Sequence, residues 1–419
     1  MSTPQDHAPA LASALWADLG GDPALLRRLA FAGPAGILPS VYDVTGFAAA
    51  TVGLAALAVA ELAATRTGPD VAVAAVTVDR LLASASFKFE ALVQPVGWAM
   101  PPIWDPVAGD YRARDAFIRL HTNYPYHLAA ALAVLDAPAD RLAVADKVAQ
   151  WDADALEAAV VAAGGCAAVM RSAEQWAAHP AGAATRKERP VVVGPGREVP
   201  DAALPDLAYP AKSPARPLAG LRVLDLTRVI AGPVATRYLA GYGADVLRID
   251  PPGFAEVPAL LPEVTAGKRC AALDLTQDDD RRRFTELVAE AHVVFCGYRP
   301  DALGMLGFGP DGLHVINPAL VVVRHDAYGW AGPWAGRRGF DSLVQMSTGI
   351  AHAGAQAARR DTPAPLPCQA LDHGTGHLLA AGACRALTRL LRLGKASDVQ
   401  GSLVGAANVL KAAPAVTDR

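Results

Sequence analysis

Side chains that could take part in catalysis or bind a metal are grouped near the C-terminal end of the sequence, where Asp372, His373 and His377 stand close together. The two histidines are four residues apart, so a helix would place both imidazoles on one face, as some zinc sites require. No third ligand and no H-E-x-x-H glutamate accompanies them. Solvent-facing or hydrogen-bonded histidines are therefore the preferred interpretation, and no metal site is predicted.

Asp372 stands where a strand-like run, residues 367–371, meets a predicted helix with Gly374 and Gly376 in its first turn. One interpretation is an N-cap, whose carboxylate accepts hydrogen bonds from the free amides of that turn. The other is a nucleophile that the helix terminus keeps ionised, with glycines that let a substrate carbonyl approach the backbone. A carboxylate can attack an activated acyl group such as a thioester. From these residues alone the cap is the simpler interpretation.

Gly307, Gly309 and Gly312 fit the dinucleotide-binding pattern G-x-G-x-x-G. That pattern must leave a strand and open a helix, whereas the preceding residues 302–306 are typical of a helix. We therefore interpret the three glycines as a helix-to-helix turn. Neither a G-x-S-x-G elbow nor a P-loop occurs, so serine hydrolases and NTPases lack support.

The composition sets wider limits on function. The 419 residues include 38 Lys and Arg and 41 Asp and Glu, a net charge of −3 that gives no reason to expect nucleic-acid or membrane binding. Five cysteines without a C-x-x-C pair are expected to be buried thiols in a reducing cytoplasm. Residues 44–60 form an uncharged, Ala-rich run that we interpret as a buried core helix rather than a membrane span.

A proline-rich stretch marks the main boundary of the chain. We expect an N-terminal extension over 1–35, a helical segment of a large domain over 36–105, a small α+β domain over 106–185, a linker over 186–217 and an α/β domain over 218–419. In the last of these, short apolar runs alternate with helical stretches, which is typical of a parallel, doubly wound sheet. Residues 190–193 can add an edge strand.

The periodicity predicts the following elements: strands over 221–226, 244–249, 271–275, 292–296 and 320–324, helices over 44–64, 128–135 and 154–163, and a hairpin over 111–120. A helix to about Ala291 is expected to open with a capping box of Thr276 and Asp279. A faint repeat is also present. Leu38-Pro39 precedes Asp43 and an Ala-rich helix, as Leu366-Pro367 precedes Asp372 and another.

The second half of the sequence contains several long segments that can be compared with known families. They begin with PLAGLRVLDLTRVIAGPVATRYLAGYGADVLRIDPPG from Pro217 and continue with GKRCAALDLT from Gly267, GRRGFDSLVQMSTG from Gly336 and ALDHGTGHLLAAG from Ala370. Together these segments resemble family III CoA-transferases, the CaiB/BaiF group. The resemblance implies a Rossmann-like large domain, a small α+β domain and an interlaced homodimer. It also implies acyl-CoA and a small carboxylic acid as substrates, with no tightly bound cofactor.

The resemblance places the catalytic aspartate of the family at Asp372. It implies that CoA lies along the loops that follow the first, third and fourth strands of the sheet. The implied contacts are Val229, Ile230, Ala231, Leu273, Thr276, Gly297, Tyr298 and Arg299. Lys268 and Arg269 are further candidates for pairing with the CoA phosphates.

The order of the parts differs from the family pattern. The first half resembles the family's later region, which suggests a rearranged or circularly permuted member with Asp43 as a vestigial counterpart of Asp372. The expected reaction is CoA transfer through an aspartyl anhydride and an aspartyl-CoA thioester, with backbone amides near Gly374 to Gly376 stabilising the oxyanions.

Two alternatives remain open at the level of sequence. The first is an isomerase, because α-methylacyl-CoA racemases share this scaffold. They place a histidine where this chain has Phe340, and His373 or His352 could replace it only through new geometry. The second is a CoA-binding protein without catalytic activity.

Overall fold

The computed structural model describes residues 6–207, 216–254, 256–298 and 300–413. Arg299, one of the expected CoA contacts, lies outside the described residues, as does part of the linker expected over 186–217.

The N-terminal part of the chain is built around one long helix. Its elements are α1 (Ala8–Asp18), β1 (Leu29–Ala32), α2 (Val44–Thr67), β2 (Val76–Asp79), α3 (Arg80–Ser86) and α4 (Phe89–Leu92). By length and mean hydropathy, 1.9, α2 is the one helix of the described residues that could cross a membrane, but 78% of its apolar window is buried inside the protein. The predicted core helix is confirmed.

The middle part contains a three-stranded antiparallel sheet with helices packed on it. Its elements are β3 (Gly109–Arg112), β4 (Phe117–Leu120), α5 (Pro125–Leu135), α6 (Arg141–Val148), α7 (Ala153–Ala162), β5 (Ala167–Val169), α8 (Ala173–Ala178), α9 (Pro180–Thr185), β6 (Val191–Val193) and β7 (Arg197–Glu198). β3 and β4 form the predicted hairpin. Leu120, Val144 and Leu156 are among the residues of a separate apolar core between this sheet and its helices.

The C-terminal part alternates strands and helices. Its elements are β8 (Arg222–Leu226), α10 (Ala231–Gly241), β9 (Asp245–Asp250), α11 (Leu261–Val264), β10 (Arg269–Ala272), α12 (Asp278–Glu290), β11 (Val293–Cys296), α13 (Pro300–Met305), α14 (Pro310–Ile316), β12 (Val321–Asp326), α15 (Asp341–Ser347), α16 (Ile350–Ala357), α17 (Ala370–Leu393), β13 (Lys395–Ala396), β14 (Val399–Ser402) and α18 (Leu403–Ala412). The five predicted strands are all present, although β10 begins and ends a few residues before the predicted range 271–275. Residues 306–309 form the turn between α13 and α14, and Gly312 lies inside α14.

The main sheet has the strand order β10-β9-β8-β11-β12-β14-β6. The first six strands pair in parallel. The edge strand that the sequence allowed near residues 190–193 is β6, and it pairs with β14 in the antiparallel sense. Counted along the chain, the parallel strands follow the 3-2-1-4-5-6 order of doubly wound sheets. Because the order reverses between β8 and β11, the loops that leave these two strands open a crevice at the edge where ligands bind in such folds.

The faint sequence repeat corresponds to two equivalent helices. α2 and α17 are both 24 residues long, and each is followed by a strand of a parallel pair and a further helix. A buried ion pair joins Glu61 of α2 to Arg385 of α17. At the start of α2, Asp43 is an N-cap that accepts the Gly46 amide at 2.7 Å.

Three local predictions are wrong. Residues 367–371 form no strand, because α17 already begins at Ala370. No capping box opens α12, since the Thr276 hydroxyl donates to Asp274 at 2.7 Å. Cys270 is an exposed thiol, because β10 is the edge strand of the sheet, whereas the other four cysteines are buried.

Candidate active site

A cleft lies at the switch point of the sheet, where the chain leaves β8 and β11. Four of the expected CoA contacts, Val229, Ala231, Gly297 and Tyr298, line this cleft, which has a volume of about 370 Å³. Asp372 lines it as well. The structure therefore brings together the predicted nucleophile and the loops that follow the first and fourth parallel strands.

The backbone of Val229 is strained at this point. Its φ of 64° lies in the left-handed region, which a β-branched residue rarely adopts. The Val229 amide donates to Glu256 at 3.2 Å, and the same carboxylate accepts from Tyr124 of the middle part at 2.7 Å. Glu256 thus ties the strained loop to the antiparallel part of the protein.

Positive charge lines the outer side of the cleft. Arg228, Arg337 and Arg338 contribute guanidinium groups to it. Arg228 lies 3.3 Å from the centre of the Phe254 ring and donates to the Tyr298 hydroxyl at 2.7 Å. Arginine forks of this kind suit phosphate groups.

Asp372 is the third residue of α17 and not its cap. The N-cap is Gln369, and no hydrogen bond to the Asp372 carboxylate occurs within the described residues. The Asp372 amide instead donates at 2.9 Å to Oδ2 of Asp341, the first residue of α15. The cap interpretation is therefore wrong, because the carboxylate of Asp372 does not accept a hydrogen bond from the amides of the first turn.

The surroundings of Asp372 act against the ionised form that the helix terminus was expected to favour. Burial, followed by the nearby carboxyl groups of Asp341 and Glu90, raises its pKa well above the ordinary value. The pKa of Asp341 is raised to about 6, mainly by burial. Desolvation and two like charges thus outweigh the helix dipole in their effect on the pKa of Asp372.

Gly374 and Gly376 serve helix packing and do not make room for a substrate carbonyl. A Cβ on Gly374 would lie 2.2 Å from the Phe47 ring of α2, and one on Gly376 would lie 2.5 Å from the Ala231 carbonyl of α10. Their amides lie inside the helix, beyond the unpaired first turn. The predicted oxyanion site at these amides is wrong.

A second, more enclosed cavity, which we call the inner chamber, also borders Asp372. Its volume is about 80 Å³. Its lining residues are Glu90, Ile103, Trp104, His121, Asn123, Val229, Ile230, Val257, Leu260, Phe340, Asp341, Ser342, Gln369 and Asp372. Val229 and Asp372 thus border both the cleft and the inner chamber.

The histidines that follow Asp372 are core residues. The rings of His373 and His377 stack on Phe87 at 5.1 and 5.9 Å between centroids. His373 Nε2 lies 3.4 Å from Glu90 Oε2, and burial lowers the pKa of His377 to about 3. Neither is solvent-facing, and no cluster suited to a metal occurs among the residues that the structure describes.

Other expected contacts lie elsewhere. Leu273 and Thr276 follow β10, at the edge of the sheet and two strands from the switch point, and neither lines the cleft or the chamber. Lys268 is fully buried and pairs with Asp225 at 2.8 Å. Arg269 pairs with Asp245 on the surface. Lys268 is thus part of the core, and its expected role with phosphate is wrong.

Sequence reasoning missed Glu90 and His121, which reach the inner chamber from the first half of the chain. The His121 ring stacks on Phe340 with 3.6 Å between centroids. Burial and then Arg119 hold the pKa of His121 well below its ordinary value, so its imidazole is neutral. No local motif marks either residue, because each lies more than 200 positions from Asp372 along the chain.

The second half of the chain is similar in sequence to known proteins. Residues 218–418 match the model of CoA-transferase family III. The chain is 33% identical over 216 residues to a probable fatty acyl-CoA transferase of Mycobacterium tuberculosis, covering 48% of this chain and 54% of that protein. It is 35% identical over 152 residues to the acetyl-CoA:oxalate CoA-transferase of Acetobacter aceti, covering 34% of this chain and 39% of that protein.

A CaiB/BaiF family protein of Brucella suis with a crystal structure is 26% identical, with a TM-score of 0.42 over 47% of this chain and 55% of that one. The chain thus spans about half the length of these relatives, or less. The matched segment contains the six parallel strands, the switch-point loops and Asp372. Residues 218–418 of this chain belong to CoA-transferase family III.

Proposed function

We propose that this protein moves CoA between an acyl-CoA thioester and a carboxylic acid, with Asp372 as the nucleophile. The observation that carries the proposal is the position of Asp372 between the cationic cleft and the inner chamber. A thioester that lies across Asp372 would extend its CoA part into the cleft and its acyl part into the chamber. Arg228 and the other cleft arginines would then face the CoA phosphates.

The proposed reaction has four steps. An Asp372 oxygen attacks the thioester carbonyl and the C–S bond breaks, so CoA departs as a thiolate and the acyl group forms a mixed anhydride with Asp372. The thiolate attacks the Asp372 carboxyl carbon, which releases the first acid and forms an aspartyl-CoA thioester. The carboxylate of the second acid attacks the same carbon and expels the thiolate. The thiolate then attacks the acyl carbon of the second acid in this anhydride, which forms the new acyl-CoA and regenerates the Asp372 carboxylate.

The chain offers one source of oxyanion stabilisation in place of the glycine amides. Helix α10 begins at Ala231, which lines the cleft, so the positive end of its dipole is directed toward the reacting groups. Asp341 would act as a positioning residue, because its carboxylate holds the Asp372 amide.

The test is trapping of the covalent intermediate. Acyl-CoA and hydroxylamine are expected to convert Asp372 into a hydroxamate that peptide mass spectrometry locates. Asp372→Asn should abolish this product and lower transfer at least about 1,000-fold. Asp43→Asn is the matched control, because the sequence repeat pairs Asp43 with Asp372 and asparagine is also a good N-cap for α2. Transfer that survives in Asp372→Asn would overturn the proposal.

A second candidate function is proton exchange at the α-carbon of an acyl-CoA. The observation that favours it is His121, a neutral imidazole in the inner chamber that has Asp372 as a possible acid partner. His373 and His352 do not line the chamber. Loss of α-deuterium from an acyl-CoA without any second acid would support this function, and it should disappear in His121→Ala.

The remaining expectations complete the proposal. We place the reaction in the cytoplasm, with the protein acting as a homodimer on freely exchanging CoA thioesters. Binding of acyl-CoA without hydroxamate formation or proton exchange would instead favour a CoA-binding protein without catalytic activity.

A further inference from the structure

The charges around Asp372 are distributed unevenly. The cleft carries Arg228, Arg337 and Arg338, whereas none of the described residues that line the inner chamber is a lysine or an arginine. The chamber carries two carboxyl groups besides Asp372, those of Glu90 and Asp341. Its imidazole, His121, is neutral, as described above.

The rest of the chamber is mostly apolar. Seven lining residues present aliphatic or aromatic surface: Ile103, Trp104, Val229, Ile230, Val257, Leu260 and Phe340. The neutral polar groups are those of Asn123, Ser342 and Gln369. Such a lining favours an uncharged organic group and offers no partner to a second anion.

The carboxyl groups in the chamber have no guanidinium or ammonium partner there. Asp341 accepts the Asp372 amide and a side-chain hydrogen bond from Gln345. The Glu90 carboxylate lies 3.4 Å from His373 Nε2, and its side chain is 14% exposed. A further carboxylate on a bound acyl group would therefore meet like charge at short range in a partly desolvated space.

On this basis, and resting on the proposed function, we infer that the chamber selects acyl groups and acids without a second charge. The donor acyl group and the acceptor acid are compact monocarboxylic species, and acyl groups derived from dicarboxylic acids are rejected. At about 80 Å³ the chamber holds roughly five to eight non-hydrogen atoms, if each takes up the space of one water molecule. That size corresponds to a short aliphatic acyl chain.

Two thioesters of equal size test the inference. Succinyl-CoA and 4-oxopentanoyl-CoA differ only in the replacement of the terminal carboxylate oxygen by a methyl group. The dissociation constant of each is measured by calorimetry with the full chain, and transfer to a short monocarboxylate is followed by mass spectrometry. We expect 4-oxopentanoyl-CoA to bind about 100-fold more tightly, the effect of one close like-charge contact inside a protein.

Variants assign the effect to the chamber. Glu90→Gln should reduce the ratio of the two dissociation constants about 10-fold, since it removes one carboxylate and keeps a group of the same shape. Glu263→Gln is the matched control, because Glu263 pairs with Arg237 next to the chamber but does not line it. The control variant should bind the two thioesters with the same ratio of dissociation constants as the wild type. Circular dichroism verifies that both variants fold.

The outcomes separate the two proposals. Equal binding of both thioesters, or a difference that Glu90→Gln leaves unchanged, overturns the inference about substrate class. Discrimination in binding without transfer or hydroxamate formation supports that inference and contradicts the proposed function.

Discussion

The carboxylate of Asp341 accepts the backbone amide of Asp372 at 2.9 Å, across 31 positions of sequence. Asp341 therefore provides the hydrogen bond that a side chain at the start of α17 would otherwise supply. As a result, Asp372 lies in the first turn of the helix with no hydrogen bond to its own carboxylate in the described residues.

Removal of the Asp341 carboxylate should loosen the start of α17. In Asp341→Ala, buried amide donors lose their acceptor, at a cost of about 1–3 kcal/mol in the free energy of unfolding. We expect kcat to fall about 10-fold or more with a smaller change in KM, since Asp372 is displaced. Urea denaturation and steady-state kinetics measure the two effects. Asp341→Asn keeps one acceptor oxygen and should therefore retain part of the stability and part of the kcat that Asp341→Ala loses. An equal fall in kcat in the two variants would contradict the positioning role.

The rate of covalent adduct formation should rise with pH. Asp372 must be ionised to attack, and its pKa is raised by burial and by the charges of Asp341 and Glu90. The protonated, unreactive form therefore persists to a higher pH than for an ordinary aspartate. Glu90→Gln removes one of the charges and should move the acid limb of the profile to lower pH. Rapid-quench measurement of the hydroxamate across pH 5–9 tests this, with Glu263→Gln expected to match the wild type.

Packing of α17 against α10 should be sensitive to a single methyl group. Gly376→Ala would place a Cβ 2.5 Å from the Ala231 carbonyl and 2.8 Å from Val234, so the two helices must separate. We expect a loss of about 1–3 kcal/mol in stability and a marked fall in activity. Gly241→Ala, at the end of α10, meets no atom within 4 Å and should be neutral or slightly stabilising. Equal thermal unfolding of the two variants would contradict this account.

Lys268 should matter for stability and not for binding of CoA. Its ammonium and the Asp225 carboxylate form a pair in which both side chains are fully buried. Lys268→Met leaves Asp225 unpaired and should cost about 3–5 kcal/mol. Arg269→Met removes an exposed pair and should change stability by less than about 1 kcal/mol. The dissociation constant of CoA is measured by calorimetry with folded protein. A large rise in this constant for Lys268→Met would show that Lys268 does pair with a CoA phosphate.

Local sequence patterns were sufficient to identify most of the sheet. Five of the seven strands of the C-terminal part, the hairpin over 111–120 and the edge strand near residue 191 occur at or close to the places that apolar runs and proline placement indicated. The sixth parallel strand, β14, was not predicted. The predicted elements depend on neighbours close in sequence, so their signals are local. The resemblance also placed Val229, Ala231, Gly297 and Tyr298 at one cleft.

Errors arose where distant residues decide the outcome. The role of Asp372 depended on whether its own carboxylate or another group satisfied the amides of α17, and Asp341 on α15 does so. Lys268 looked like a phosphate contact because its partner, Asp225, lies 43 positions earlier. Gly374 and Gly376 looked like substrate glycines because the helices that fill their surfaces, α2 and α10, are not adjacent in sequence.

The sequence alone predicted the doubly wound sheet and an aspartate at the start of a long helix. The sheet follows from short-range hydrophobic periodicity, and the aspartate follows from the sequence motif around it. Only the tertiary structure decided the environment of that aspartate. Glu90 and His121 come close to it from the first half of the chain, and it borders both the cationic cleft and the inner chamber. The reason is physical, because desolvation and Coulomb interactions depend on distances in space, which the order of residues does not fix.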